Sequence, residues 1–218
     1  MRPSARSAAI AAWLDRVLYR QPFEGASARR YARQARPAFG DLDDRLLDGM
    51  APLLTPARRL LDLGAGPATF AARAAARHPH LTVLAVEPSR DFARPRPGLH
   101  ILRAAGEALP LADRSVDVAI CLSSIRHVRD RGATLRELRR VVRGTLVLVE
   151  LDPAADARRV AEHTGRLGGT LLRHAFAPFV LRTAPSADAI VALARDAGWQ
   201  VRERRDDPVQ PVYVLELG

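Results

Sequence analysis

Short apolar runs alternate with helical patterns along most of this 218-residue chain. The runs bounded by turn residues predict strands at residues 59–63, 81–86, 99–103, 116–122 and 145–151. Between them, apolar positions at helical spacing predict helices at residues 68–77 and 133–142. Apolar strands separated by helices are typical of a parallel sheet covered on both faces. Right-handed crossovers then predict an α/β, doubly wound, mostly parallel and Rossmann-like fold.

The two ends of the chain add to this core. Helices are predicted at residues 7–20 and about 41–50, with a looser segment around Tyr31 between them. We expect residues 1–50 to form an N-terminal helical cover packed on the core.

Residues 154–185 interrupt the alternation of strands and helices. A helix follows at residues 186–197, with Ser186 as its N-cap, and then two strands at 201–204 and 212–217. These two strands complete a seven-stranded sheet with an antiparallel C-terminal strand. We expect residues 51–218 to form one domain, in which 154–185 is an insertion that covers the substrate.

The net charge of +10 suggests a nucleic-acid partner at first sight. The chain contains no lysine, however, so all 34 basic residues are arginine, and they are scattered along the sequence. This usage is typical of a GC-rich genome, and it weakens the argument for a nucleic-acid partner.

The single cysteine, Cys121, lies in an apolar run and is expected to be a buried strand residue. One cysteine forms no internal disulfide, which is compatible with the cytoplasm. No apolar run approaches the ~20 residues of a membrane helix. The apolar N-terminal stretch is interrupted by Asp15 and Arg16, so we interpret it as an amphipathic helix.

The first strand ends in a turn that suits a ligand. Asp62 is the one acid in an apolar strand, and Gly64-Ala65-Gly66 lets the backbone approach a bound molecule closely. The next helix starts there, so its free N–H groups point towards that molecule. The turn is not a phosphate loop, which needs a lysine, and Thr69 replaces the third glycine of the dinucleotide pattern.

The second strand ends at Glu87, which Pro88 follows. Glu87 lies 23 residues beyond Gly64, at the same edge of the predicted sheet. A carboxylate at this point can accept both hydrogen bonds of a ribose diol. Together with Asp62 and the glycine turn, Glu87 favours a nucleoside-type ligand over a solvated turn.

Three segments in order, LLDLGAGPATF, VEPS and GEALPLADRSVDVAICLSSIRHV, resemble the class I S-adenosylmethionine-dependent methyltransferases. The likeness covers residues 58–151 and is greatest to the small-molecule subset that includes ubiquinone and menaquinone biosynthesis enzymes. The resemblance implies a methyltransferase with S-adenosylmethionine as cofactor and S-adenosylhomocysteine as product.

The resemblance also implies a set of site residues. In the family, the glycine turn meets the methionyl part of the cofactor, the acid after the second strand holds the ribose, and a later loop lies by the adenine. The tip of the fourth strand faces cofactor and substrate, and an N-terminal segment closes over the cofactor. The matching residues here are Tyr31, Asp62, Gly64, Ala65, Gly66, Glu87, Pro88, Ser89, Gly106, Glu107, Ser123 and Ser124.

The chain departs from the family at three places. Ala105 stands where an aspartate commonly contacts the adenine amino group, which leaves the backbone or Glu107 for that contact. The pair of histidines after the fourth strand reads Arg126-His127. The glycine pair before the fifth strand is shortened to Arg143-Gly144, which affects the turn more than the chemistry.

His127 is the candidate catalytic residue, because a histidine beyond the fourth strand can act as a general base for a hydroxyl acceptor. A capping or packing role for His127 stays open. His163 and His174 are expected on the surface of the insertion.

No metal site is predicted. His78-Pro79-His80 lacks helical geometry and further ligands. The acidic group at Asp41, Asp43 and Asp44 is typical of a helix N-terminus.

Three functions remain open: a small-molecule methyltransferase of specialised metabolism, an RNA or DNA methyltransferase, and a non-catalytic cofactor-binding protein. Ser123-Ser124-Ile125-Arg126 stands in place of the Asn/Asp-Pro-Pro-aromatic tetrapeptide of enzymes that methylate base nitrogens, which disfavours the second. We therefore expect a cytoplasmic monomer or homodimer that acts on a small molecule, with nucleic acid disfavoured and no membrane span. The acceptor atom, whether oxygen, nitrogen, sulfur or carbon, stays open.

Overall fold

The computed structural model describes residues 23–168, 170–175, 181–182 and 184–218. Its seven strands are β1 Arg59–Leu63, β2 Thr82–Val86, β3 His100–Leu102, β4 Val116–Leu122, β5 Val142–Leu151, β6 Val201–Asp206 and β7 Val212–Leu217. They form one sheet in the order β3-β2-β1-β4-β5-β7-β6. The pairs from β3 to β5 are parallel, whereas β7 runs antiparallel to both β5 and β6. The predicted fold class is confirmed.

The order of the strands places a binding crevice at β1. From β1 the chain moves outwards to β2 and β3, then returns to β4 on the other side of β1. Crossovers on the two sides leave a gap at the carboxyl ends of β1 and β4, where ligands bind in open α/β sheets.

Helices cover both faces of the sheet. They are α1 Gly25–Arg30, α2 Leu42–Leu54, α3 Thr69–Arg77, α4 Arg131–Val141, α5 Ala157–Arg166, α6 Thr170–Ala175 and α7 Ala187–Asp196. One apolar core joins α2 and α3 to the sheet through residues such as Leu46 and Phe70. A second core joins α4 and α7 to the opposite face, with Leu138 and Ile190 fully buried.

Two predicted boundaries differ from the structure by more than two residues. Helix α2 continues past residue 50 to Leu54, through Pro52, because Leu54 is fully buried in the core and Thr55 caps the final turn on the Ala51 carbonyl. Strand β5 begins at Val142 and not at residue 145, because Gly144 lacks the Cβ that would meet the Asp117 carbonyl across the sheet.

The N-terminal part that the structure describes runs from Phe23 to α2. Helix α1 continues as a π-helical turn at Tyr31–Ala35 and a 3₁₀ turn at Arg36–Phe39. The predicted helix at residues 7–20 lies outside the described residues, so the N-terminal cover stays a prediction there. Within the described ranges, no helix is long and apolar enough to cross a membrane.

Candidate functional site

The turn after β1 is hydrogen-bonded to the end of β2. The N–H groups of Gly64 and Ala65 both donate to the Val86 carbonyl, at 2.8 and 3.1 Å. Gly64 and Gly66 adopt positive φ angles of 69° and 53°, a region that favours glycine. The local sequence therefore builds an open backbone loop between β1 and the first turn of α3.

Glu87 supports this loop from the neighbouring strand. Its side chain is buried, and its two oxygens accept hydrogen bonds from the backbone N–H groups of Gly66 and Ser89, each at 2.8 Å. Burial raises the pKa of Glu87, and the two N–H groups oppose that shift. The carboxylate keeps further lone pairs, so it is able to accept from a ligand as well.

Asp62 lies beneath the loop with one oxygen unsatisfied. It is 2% exposed, and its Oδ2 has no hydrogen-bond partner among the described residues. Burial raises the pKa of Asp62 to about 7, with contributions from Asp43 and Glu87. The buried, unpartnered oxygen calls for a donor that a ligand supplies.

The two serines at the tip of β4 differ in their contacts. Ser123 adopts a φ of 52°, and its buried hydroxyl has no partner in the described part of the chain. The Ser124 hydroxyl instead donates to the Leu63 carbonyl at 2.7 Å and lies 3.0 Å from the Cys121 sulfur. Ser124 therefore ties β4 to β1, and Cys121 is buried as predicted.

The loop expected by the adenine is packed tightly on α4. A Cβ on Gly106 would lie 2.9 Å from the Thr134 methyl group. Glu107 accepts from the N–H groups of Arg129 and Asp130, at 2.8 and 3.1 Å. Glu107 thus holds the start of α4, and the neighbouring Ala105 is exposed.

His127 ends a short 3₁₀ turn after β4, Ile125–His127, and its ring is held by its neighbour. Arg126 Nε donates to His127 Nε2 at 2.9 Å. Burial, followed by the charges of Arg126 and Arg131, holds the pKa of His127 well below its usual range. His127 is therefore a neutral imidazole near pH 7.

Aromatic rings from the N-terminal segment form a roof. Phe23 meets His127 edge-on with ring centroids 4.7 Å apart, and it meets Tyr31 in the same way at 5.3 Å. The ring of Phe92, from the loop after β2, has its centroid 6.2 Å from that of Tyr31.

Two hydrogen bonds hold this roof to the loop after β2. The Ser89 hydroxyl donates to the Phe23 carbonyl at 2.5 Å, and the Gly25 N–H donates to Asp91 at 2.5 Å.

These parts enclose a cavity of about 390 Å³. Every predicted site residue lines it, from Tyr31 in the roof to His127 beyond β4. None of the described residues of 154–185 is among those lining it, so a covering role for that insertion stays a prediction.

Phe23, Arg36, Phe70 and Arg103 are among the lining residues that sequence reasoning missed. Arg36 donates to both carboxylate oxygens of the buried Asp43, at 2.5 and 2.6 Å. The chain contains 34 basic residues, and no local motif distinguishes Arg36 from the others.

The expectation for His163 was wrong. It is 2% exposed, bonds the Gln210 side chain at 2.7 Å and meets the Phe39 ring at 5.0 Å. Gln210 comes from the loop before β7, and this long-range contact holds α5 against the N-terminal segment. His174 is exposed, as expected.

Comparison with known proteins agrees with the fold. Residues 61–167 match the model of a methyltransferase domain family. The ubiquinone/menaquinone biosynthesis C-methyltransferase of Syntrophotalea carbinolica is 27% identical over 173 residues, 70% of this chain and 73% of that protein.

Among solved structures, an S-adenosylmethionine-dependent methyltransferase from Aquifex aeolicus has a TM-score of 0.66 at 13% identity, over 89% of this chain and 98% of its own. A methyltransferase described as part of an antibiotic biosynthesis pathway of Anabaena variabilis has a TM-score of 0.59 at 25% identity, over 76% and 65%. The family model, the relative and the solved structures together support a class I S-adenosylmethionine-dependent methyltransferase.

Proposed function

We propose that this methyltransferase acts on a small-molecule acceptor of specialised metabolism, in the cavity between β1, β4 and the aromatic roof. The observation that carries the proposal is the roof of Phe23 and Tyr31. It closes a cavity of about 390 Å³, and enclosed sites of this size are typical of small ligands. The likeness to the menaquinone-type and antibiotic-pathway enzymes supports the same choice.

The residues present fit S-adenosylmethionine. The unpartnered oxygens of Asp62 and Ser123 suit the donors of its methionyl end. A Cβ on Gly66 would project into space that has no atom of the described residues within 4 Å, so the glycine leaves room for a ligand beside the backbone.

We assign the cofactor-binding roles accordingly. Asp62, Gly64, Ala65 and Gly66 hold the methionyl end, and Glu87 holds the ribose hydroxyls while it supports the Gly66 N–H. The remaining predicted contacts come from Tyr31, Pro88, Ser89, Gly106, Glu107, Ser123 and Ser124. Arg36 adds a partly buried cation at the same cavity, suited to a carboxylate.

The bound cofactor supplies an electrophilic methyl group on a positively charged sulfur. Held by Asp62, the Gly64-Ala65-Gly66 loop and Glu87, the cofactor would supply this methyl group to a nucleophilic atom of the acceptor. The protein's contribution is to align these atoms and to exclude water, which supplies much of the acceleration in such displacements.

The arginines give little support to a nucleic-acid acceptor, because many of them are already paired with acids. Examples are the pairs Arg36–Asp43, Arg45–Asp207, Arg140–Glu137, Arg143–Asp117 and Arg204–Asp188.

A transfer assay separates the candidates. The protein is incubated with methyl-labelled S-adenosylmethionine and either a small-molecule extract or bulk RNA and DNA. We expect label in the small-molecule fraction. Label in the nucleic-acid fraction, with affinity that falls steeply with salt, would instead favour the nucleic-acid enzyme. Calorimetry that finds no cofactor binding by the folded protein would reject both enzyme functions.

A further inference from the structure

The 3₁₀ turn after β4 is anchored by a buried ion pair. Glu150, at the end of β5, is fully buried; its oxygens accept from the backbone N–H groups of Leu151 at 2.8 Å and Arg126 at 3.3 Å. The Arg126 Nη1 lies 3.6 Å from the same carboxylate. Glu150 therefore fixes the position of the Arg126 guanidinium.

Arg126 in turn fixes the state of His127. Because a guanidinium only donates, the hydrogen bond from Arg126 Nε makes His127 Nε2 an acceptor. The proton of the neutral ring then resides on Nδ1. Nδ1 makes no hydrogen bond to the residues that the structure describes, and the ring lines the cavity.

We propose that Glu150 and Arg126 are positioning residues that hold His127 as the Nδ1–H tautomer, which donates a hydrogen bond to an oxygen of the acceptor. The hydrogen bond to the acceptor rests on the proposed function. The tautomer of His127 does not, because it depends only on the contact with Arg126. His127 then takes no proton from the acceptor. The acceptor class is a molecule with a carbonyl, carboxylate or phenolate oxygen near a nucleophilic atom that needs no deprotonation by His127.

The surroundings of His127 agree with this role. The charged groups that face it are the cations Arg126, on its own turn, and Arg131, on α4. From the N-terminal segment, the Phe23 ring packs on it. Burial and the two neighbouring cations oppose protonation of His127, so the donor state persists near pH 7.

The tautomer is measurable without an acceptor. Long-range ¹H–¹⁵N spectra of the full chain separate Nδ1–H from Nε2–H rings, and the signals of His127 are assigned by their loss in His127→Gln. We expect the Nδ1–H pattern in the wild type, unchanged from pH about 7.5 down to about 6, below the usual histidine pKa. An Nε2–H pattern, or titration near the usual pKa, would overturn the proposal.

Arg126→Met removes the donor to Nε2. We expect the ring to leave the Nδ1–H state and to titrate closer to its usual pKa. The double variant Arg126→Met with Glu150→Gln gives the same result without a lone buried carboxylate, if the single variant does not fold. The matched control is Arg131→Met, which removes a nearby cation and keeps the Nδ1–H tautomer. If Arg126→Met retained the wild-type tautomer, Arg126 would have no positioning role.

The role in transfer is tested with the acceptor found in the labelled-cofactor assay. His127→Asn places an amide N–H close to the position of Nδ1 but is not a base, whereas His127→Leu removes the donor. We expect His127→Asn to stay within about tenfold of the wild-type kcat and His127→Leu to lose much more. A general base would instead make both variants lose roughly 10²–10⁴-fold. Failure of cofactor binding would reject the proposed function and leave the tautomer result standing.

Discussion

Gly64 and Ser124 are in contact across the carboxyl ends of β1 and β4, so closely that a Cβ on Gly64 would lie 2.5 Å from the Ser124 Cβ and 2.8 Å from its hydroxyl. The Ser124 hydroxyl is itself fixed by its bond to the Leu63 carbonyl. Gly64 is therefore required by protein packing as well as by its positive φ.

Replacement of Gly64 by alanine is expected to destabilise the fold. The positive φ and the clash with Ser124 together predict a loss of about 2–4 kcal/mol in the free energy of unfolding. The measurement is denaturant unfolding of the cofactor-free protein. The double variant Gly64→Ala with Ser124→Gly removes the clash and should recover part of the loss. If it recovers nothing, the steric explanation is wrong.

Gly66→Ala should behave differently, because a Cβ on Gly66 meets no atom within 4 Å in the part of the chain that the structure describes. We expect a loss of about 1–2 kcal/mol in stability, from the positive φ alone. Cofactor affinity is measured by calorimetry on folded protein. We expect a larger loss of affinity in Gly66→Ala than in Gly64→Ala. Unchanged affinity in Gly66→Ala would place the cofactor away from this loop.

Glu87→Ala is expected to weaken S-adenosylmethionine binding by ~1.5–3 kcal/mol, because it removes the acceptor for the ribose hydroxyls and leaves buried groups unpaired. It also removes the partner of the Gly66 and Ser89 N–H groups. The two contributions are separated with methionine and adenosine as partial ligands. If Glu87 bonds the ribose, Glu87→Ala loses more affinity for adenosine than for methionine. Equal losses of affinity for the two ligands would mean that the substitution acts through the loop.

The parts of the site encoded in consecutive residues could be predicted from the sequence. Residues 62–69 contain the end of β1, two positive-φ glycines and the start of α3, and strand order brings Glu87 beside them. Each feature depends on local conformation and on the general topology of parallel sheets. The fold, Asp62, the glycine turn and Glu87 follow from that local information, whereas the other predicted lining residues came from the family resemblance.

The roof and the buried ion pairs could not be predicted in this way. Phe23 reaches His127 across more than a hundred residues, and Arg36 has no local signal among the many arginines. His163 is polar at a position that helical periodicity leaves ambiguous, and its burial depends on Gln210 in a distant loop. Tertiary contacts of this kind have no counterpart in the spacing of nearby residues.

Asp62 makes the stability of the cofactor-free protein depend on pH. Its pKa rises from 3.8 to about 7 on folding, mainly because it is buried. Between these values the folded chain binds more protons at Asp62 than the unfolded chain, so this contribution to stability falls as the pH rises. Asp62→Asn should raise the free energy of unfolding at pH 8 by a few kcal/mol (about 1.4 per pKa unit) and flatten its slope between pH 4 and 7. An unchanged slope would contradict the shift.

Cofactor binding gives a second measurement on Asp62. If the ammonium group of the methionyl end pairs with Asp62, it favours the ionised carboxylate, and binding at pH 6 releases a proton. Calorimetry in buffers with different ionisation enthalpies measures that proton directly. Asp62→Asn should bind without the release. Binding that releases no proton in the wild type would assign the ammonium to another partner.

Ser89→Ala tests the roof. The Ser89 hydroxyl donates to the Phe23 carbonyl, and its loss should cost about 1 kcal/mol in the closure of the segment that carries Phe23 and Tyr31. We expect faster amide exchange at Gly25 and faster dissociation of S-adenosylhomocysteine, because the roof opens more often. Ser115→Ala is the matched control: its hydroxyl also donates to a backbone carbonyl, that of Ala112, but outside the cavity. Ser115→Ala should leave both rates unchanged. If Ser89→Ala also leaves the dissociation rate unchanged while exchange at Gly25 rises, then the roof opens without controlling release of the ligand, and closure of the cavity would have to depend on other residues.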